Sequence, residues 1–144
     1  MTTFKAVSQL KEGVKVESTS GKFRMILDEP VDLGGTDEGM NPVEAILCAL
    51  GSCQCIMARM LAGKMRVDLQ DFYVELEGDL DMAGMTGAEG VRPGYQNVRA
   101  KFHIRSNDSE EKVQRLINAI EKYCPVGDTI ANEVNLETEY VINK

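Results

Sequence analysis

Three of the four cysteines in this chain fall within eight residues, Cys48, Cys53 and Cys55 in CALGSCQC, and the fourth, Cys124, opens a downstream CPVGDT. Thiols so placed are metal ligands, disulfide partners, small core side chains or nucleophiles. On a helix advancing about 100° per residue, Cys48 and Cys55 lie almost over one another, on a strip with Gly51, Ser52 and Ala62. Cys53 points elsewhere, along a line with Ile46, Leu50, Met57 and Met60, so the CxC spacing splits its two thiols across the helix. Zinc wants ligands converging on a tetrahedron and usually takes them from turns, which disfavours a four-cysteine metal site. The lone His103 falls on a strand face with Arg99, Lys101 and Arg105 and reads as a solvated residue, leaving no imidazole for a Cys/His hydrolase.

Cys124 continues the apolar stripe of the helix before it, eleven residues beyond Val113. Pro125 pushes Cys124 out of helical geometry and suits the first position of a following turn. A thiol at such an N-terminus sees backbone N–H groups that favour thiolate. One cysteine in the middle of a buried helix and another at the mouth of a second helix can close a catalytic disulfide. Cys48 and Cys55 read as small core residues; for Cys53, core filler and nucleophile both stay open.

The elements that must position these sulfurs follow from periodicity. Period-two alternation through Phe4 and Ala6, Val14 and Val16, and Phe23, Met25 and Leu27 predicts three antiparallel strands, with Lys22, Arg24 and Asp28 on the wetted face. Asn41 and Pro42 then open a long helix, an N-cap followed by the residue preset for N1, with Gly63 as its stop. Between Val43 and Ala62 its polar residues are Glu44, Ser52, Gln54 and Arg59, so it is expected as a buried axis packed on several sides rather than a membrane span. Two strands follow, Val67 to Gly78 and Tyr95 to Ser106. The second helix starts at Asn107 or Asp108, with Glu110 or Glu111 placed for a capping box and a stripe of Val113, Leu116, Ile117, Ile120 and Tyr123. A short helical turn runs to Asn132, and Val134, Leu136, Thr138, Tyr140 and Ile142 alternate as a last strand. The order β-β-β-α-β-β-α-β predicts an α+β fold with mainly antiparallel sheets around a long buried central helix, in a single domain spanning 1–144.

A net charge of −7 leaves no concentrated basic face for nucleic acid and no polybasic stretch for anionic lipid. The opening MTTFKAVSQLKEGVKVE lacks the regions of a secretory signal, so a cytoplasmic location with reduced thiols is expected. Neither a metal nor an organic cofactor is called for.

The run GGTDEGMNPVEAILCALGSCQC, together with the later CPVGDT, resembles the OsmC/Ohr family of osmotically inducible and organic-hydroperoxide-resistance proteins, in its divergent OsmC-like branch. The resemblance covers nearly the whole chain in element order. It implies an intertwined homodimer and a thiol peroxidase that reduces organic hydroperoxides or hydrogen peroxide. Cys53 matches the peroxidatic cysteine and Cys124 the resolving one, with a dithiol reductant, lipoyl-type in some members, restoring both thiols. Better-studied branches activate the cysteine with an N-terminal Arg and a Glu directly after the motif's Pro. Here Val43 holds that Glu position and Glu44 comes one later, while no Arg lies between Pro30 and Met40. Arg24 and Glu44 are the catalytic candidates that remain, with Arg59 beside Arg24 as a possible cation; Leu50, Met57 and Met60 are the candidate substrate pocket. The departures leave a second reading open, a non-enzymatic dimer that binds a small apolar ligand or responds to redox state.

Overall fold

The computed structural model describes residues 1–143, which cluster into two compact units, Met1–Cys48 and the chain from Ala49 onward.

In the first unit, strands β1 (Val7–Leu10), β2 (Val16–Ser20) and β3 (Phe23–Leu27) form an antiparallel meander. Val7 faces Thr19 and Val16 faces Leu27 in its register. The loop after β3 folds back beside it: Asp28 N–H donates to the Met40 carbonyl at 3.1 Å and Asp37 N–H to that of Glu29 at 3.1 Å. Gly35 and Gly39 permit this return, since a Cβ on either would collide with the backbone carbonyls of Glu29 and Ile26.

Helix α1 (Pro42–Met65) begins at a reciprocal cap. Glu44 N–H donates to Asn41 Oδ1 at 2.9 Å, and Asn41 N–H donates to Glu44 Oε1 at 3.1 Å, satisfying two amides that the first turn would otherwise orphan. The helix passes through Gly63, the expected stop, and ends at Met65. Arg66 takes the left-handed conformation, φ 56°, and Val67 N–H reaches back to the Ala62 carbonyl at 2.9 Å, the closure usually made by glycine.

In the second unit, β4 (Leu69–Leu80) and β5 (Tyr95–Ser106) pair antiparallel over twelve residues each. Phe72, Val74 and Leu76 alternate inward as their period requires, and the Phe72 and Phe102 rings meet at 5.2 Å. Helix α2 (Glu110–Tyr123) starts later than its sequence implies. Ser109 is the cap, its Oγ accepting from Lys112 N–H at 3.3 Å. The expected cap Asp108 instead accepts from Asp68 N–H at 2.6 Å, tying the helix start to the approach to β4. A short helix α3 (Pro125–Ala131) follows directly.

The core of this unit gathers Ala58 and Ala62 of α1, Val67, Leu69, and Leu116 and Ile120 of α2. Gly51 lies against Leu76, whose Cδ1 would be 2.7 Å from any added Cβ. Small residues thus let α1 approach the sheet closely. Within the single chain α1 buries Leu50, Gly51, Gln54, Ala58 and Ala62, whereas Ile56 and Met60 are 59% and 58% exposed. The unit supplies one two-stranded sheet and one amphipathic helix, enough for one side. By length and composition alone α1 is also long and apolar enough to cross a membrane.

Two further expectations fail. Residues 133–143 form no strand, and Val134, Leu136 and Tyr140 are exposed, because alternation alone makes no strand without a neighbour to pair its backbone. Tyr123 is exposed too, since the buried stripe of α2 runs Leu116, Ile120, Cys124 at strict i+4 steps.

Candidate functional site

Cys124 sits where α2 ends and α3 begins. Its backbone, φ −71° and ψ 111°, is extended, as Pro125 requires of the residue before it. Its own N–H still donates to the Ile120 carbonyl at 3.1 Å, closing α2. Its Sγ accepts from Gly127 N–H at 3.3 Å, capping α3. A kink with two helix ends therefore fixes one sulfur.

The other comes from the middle of α1. Leu50, Cys53 and Gln54 are spaced i, i+3 and i+4 and share a helix face. Cys53 is half-buried and Cys124 is 2% exposed, both as free thiols. The Cys124 thiol donates to Cys53 Sγ across 3.0 Å, so the two sulfurs assigned from sequence to a single site lie within bonding reach. Cys55 is half-buried away from this pair, and burial pushes its thiol up from the ordinary value. Cys48, expected in the core, is exposed, with its Sγ 3.6 Å from Met40 Sδ.

The electrostatics of Cys124 run against the thiolate expected of a helix N-terminus. Burial is the larger cause that raises it above the ordinary thiol value, and the hydrogen bond to Cys53 adds to it; the Gly127 N–H pulls the other way and is outweighed.

A cavity of about 250 Å³ opens beside Cys124, with Leu50, Val98, Ala100 and Ile130 among its walls and Gln54 and Glu121 as its carboxamide and carboxylate. Of the candidate pocket residues the structure brings Leu50 here and separates the others. Met57 packs against the core cluster and Met60 is on the exposed side of α1.

Each activating candidate has a partner of its own. Glu44 is bound in the Asn41 cap. Arg24 pairs with Glu17 at 3.8 Å across the β2–β3 ladder, and Arg59 Nη1 donates to the Leu69 carbonyl at 3.1 Å. His103 lies on the outer face of the β4–β5 sheet, as its alternation predicts, 2.6 Å from Glu75 and stacked on Tyr73.

Two residues escaped sequence reasoning. Asp28, assigned to a wetted face, is 2% exposed. Its carboxylate accepts from Thr36 Oγ1 at 2.7 Å and from the Glu29 and Glu38 amides at 2.8 and 3.2 Å. These bonds, the Thr36 hydroxyl foremost, hold its pKa down to about 2. Asp28 is the knot on which the GGTDEG loop closes, and only the donors of that loop, 8 to 10 residues on, reveal it. Gln54 is the other, 8% exposed with Oε1 unpartnered among the described residues. Its signal was one carboxamide in an otherwise apolar stretch.

A family model described as OsmC-like protein matches residues 35–139. The hydroperoxide reductase of Mycoplasma genitalium is 22% identical over 129 residues, covering 89% of this chain and 86% of its own. Among solved structures, the OsmC-like protein from Mycoplasma pneumoniae aligns with a TM-score of 0.78 at 21% identity, over 90% of this chain and 88% of that one. An organic hydroperoxide resistance protein from Legionella pneumophila aligns at 0.67 with 21% identity, over 90% of each chain. At these identities the structural likeness is one of fold.

Proposed function

Because this chain belongs to the OsmC-like protein family, we propose that it is a thiol peroxidase for organic hydroperoxides or hydrogen peroxide, with Cys53 attacking and Cys124 resolving. The observation that carries this reading is the 3.0 Å contact between the two sulfurs. Relatives named hydroperoxide reductase support the reaction class.

In the first step the Cys53 thiolate attacks the terminal oxygen of ROOH. The S–O bond forms, the O–O bond breaks, and the leaving alkoxide takes a proton as ROH; Cys53 is left as sulfenic acid. The Cys124 sulfur then attacks the Cys53 sulfur, and its thiol proton departs with the hydroxide as water while the disulfide forms. A dithiol reductant, of the lipoyl type, restores both thiols by exchange. The half-exposed Cys53 is the sulfur a peroxide reaches, and Cys124, whose thiol is pushed up by burial, is kept in reserve. A reducing compartment such as the cytoplasm suits this cycle.

We assign the working form to a homodimer. The uncovered Ile56 and Met60 of α1 and the unpaired alternation of Val134, Leu136 and Tyr140 are the surfaces that a second copy would bury.

The test is turnover of cumene hydroperoxide with dihydrolipoamide by the wild type, Cys53→Ser and Cys124→Ser. Loss of turnover in Cys53→Ser, with a Cys53–Cys124 disulfide mapped in the peroxide-treated wild type, is expected. A wild-type rate no greater than that of free cysteine at equal concentration would favour the second reading, a non-enzymatic ligand-binding or redox-responsive dimer. The engagement of Arg24 by Glu17 and of Arg59 by the Leu69 carbonyl speaks for that alternative.

A further inference from the structure

Cys124 Sγ has two partners at once. It lies 3.0 Å from Cys53 Sγ and accepts from Gly127 N–H at 3.3 Å, so the sulfur that closes the disulfide is also the N-cap of α3. Little else holds that helix. It has seven residues, none of them buried, and a helix shorter than about 12 residues is marginal on its own. Gly127, at its third position, is a poor helix former. Removing a cap shifts a helix end by about fivefold toward coil.

The two contacts compete once the pair is oxidised. Bonded sulfurs lie about 2.05 Å apart, so closing the bond takes roughly 1 Å out of the gap between Cys53 and Cys124. Cys53 rides on the middle of the 24-residue α1, whereas Cys124 sits at a kink beside the loosely held α3. The shift therefore falls on Cys124 Sγ and lengthens its contact with Gly127 N–H. Helix α3 is also a wall: Gly127, Ile130 and Ala131 border the roughly 250 Å³ space beside Cys124, whose residue is 2% exposed with its thiol free.

We propose that α3 is a redox-responsive flap. Formation of the Cys53–Cys124 bond draws the sulfur off the Gly127 amide, the first turn of α3 loosens, and the wall beside Cys124 opens to a dithiol. The two thiols lose two protons and two electrons as the bond forms, to a hydroperoxide in the cycle or to diamide in the test below. A dithiol returns both by exchange; the S–S bond breaks, the thiol regains Gly127 N–H, and the flap closes. The switch needs only an oxidant that joins the two sulfurs. Its place in a catalytic cycle rests on the peroxidase reading above.

The test is amide hydrogen exchange by NMR on the full chain, reduced and then oxidised with diamide, with the Cys53–Cys124 bond assigned by peptide mass. The Gly127, Asp128 and Asn132 amides donate to Cys124 Sγ, the Cys124 carbonyl and the Asp128 carbonyl. They are expected to exchange at least threefold faster after oxidation, while the Leu116 and Ile120 amides of α2 do not accelerate. Cys53→Ser keeps the cap, and Cys124→Ser replaces it with another capping side chain. Neither variant can form the bond, so diamide should leave α3 exchange in both within twofold. Gly127→Ala tests access to the bond. An added Cβ would meet Cys124 Cβ at 3.5 Å, Cys124 Sγ at 3.6 Å and Leu50 Cδ1 at 3.7 Å, ordinary contacts, and alanine favours the helix. Dihydrolipoamide should reduce the disulfide of Gly127→Ala at least threefold more slowly than that of the wild type.

Equal α3 exchange in the two redox forms would overturn the proposal, as would an equal response to diamide in either serine variant or an unchanged reduction rate in Gly127→Ala. A chain in which diamide joins other sulfurs instead would overturn it too. A flap that responds to diamide in a chain that turns over no cumene hydroperoxide would stand while the peroxidase reading fell. An active chain with an unmoved α3 would do the reverse.

Discussion

Cys124 donates its thiol hydrogen to Cys53 Sγ across 3.0 Å, although 71 residues separate the two along the chain. The contact exists because a helix face from the middle of α1 meets the junction of α2 and α3. Its thiols are free in the structure, so the pair stands ready to be oxidised.

Oxidation should therefore stabilise the chain. Linking positions 71 apart removes loop-closure freedom from the unfolded chain, by about 4 kcal/mol in the entropic treatment of such cross-links. Diamide treatment of a Cys48→Ser/Cys55→Ser protein should raise its melting temperature by several degrees, and a dithiol should reverse the gain. An unchanged melt in protein with the cross-link confirmed by mass would contradict the geometry.

Cys124→Ser should stall the proposed cycle after one turn. Cys53 would still consume one equivalent of peroxide, but its sulfenic acid would persist and be trapped by dimedone, and dithiol-supported turnover should fall at least tenfold. Dimedone adduct at the wild-type level would deny Cys124 the resolving role.

The pH dependence of Cys124 alkylation has a defined sign. Burial and the bond to Cys53 raise its thiol, so its thiolate appears only at higher pH. In a chain where Cys124 is the sole cysteine, burial still acts, and the iodoacetamide rate should rise with a midpoint above the free-thiol value of about 8.5. A midpoint below neutrality would mean that the α3 amide dominates after all.

Asp28 makes acid stability measurable in the first unit. Its folded pKa, about 2, lies below the unfolded value of about 3.9. Its contribution is fully present above that unfolded value and is lost as pH falls through about 2. Asp28→Asn should melt at lower temperature than wild type at neutral pH, and its melting temperature should change less between pH 4 and 2. Parallel melting profiles for the two proteins would rule this contribution out.

Glu44→Gln distinguishes a helix cap from a catalytic carboxylate. Glutamine can keep the reciprocal bond with Asn41, so peroxide turnover within twofold of wild type is expected. Asn41→Ala removes the cap acceptor and should cost about 1 kcal/mol of stability. A tenfold loss of turnover in Glu44→Gln, with stability kept, would instead assign the charge a part in the chemistry.

Periodicity was enough to read β4, β5 and α2, whose apolar steps of two or of three and four residues follow burial on one side; β2 and β3 fall where alternation put them, whereas β1 lies beyond Phe4 and Ala6, and Val7, Phe23 and Met25 are exposed. The place of Cys124 on the stripe begun by Val113, and the kink that Pro125 imposes, marked it as an inward sulfur at a helix mouth. Helix ends were harder: Ser109 caps α2, while the Asp108 carboxylate accepts from the Asp68 N–H and from Lys112 instead. Asp28 and Gln54 were illegible for a related reason: each is defined by donors or space contributed by distant residues, and a polar residue in a strand or helix pattern carries no mark of what surrounds it. The same blindness affected Val134 to Ile142, where alternation is visible but a pairing edge is not.

Cys48 has a practical bearing on every such experiment. It alone among the four thiols is exposed, with its Sγ 3.6 Å from Met40 Sδ. A colorimetric sulfhydryl count will register it first, in oxidised and reduced samples alike, and intermolecular dimers seen on a non-reducing gel will tend to be joined through it. The bystander thus sets the background against which the informative pair must be quantified.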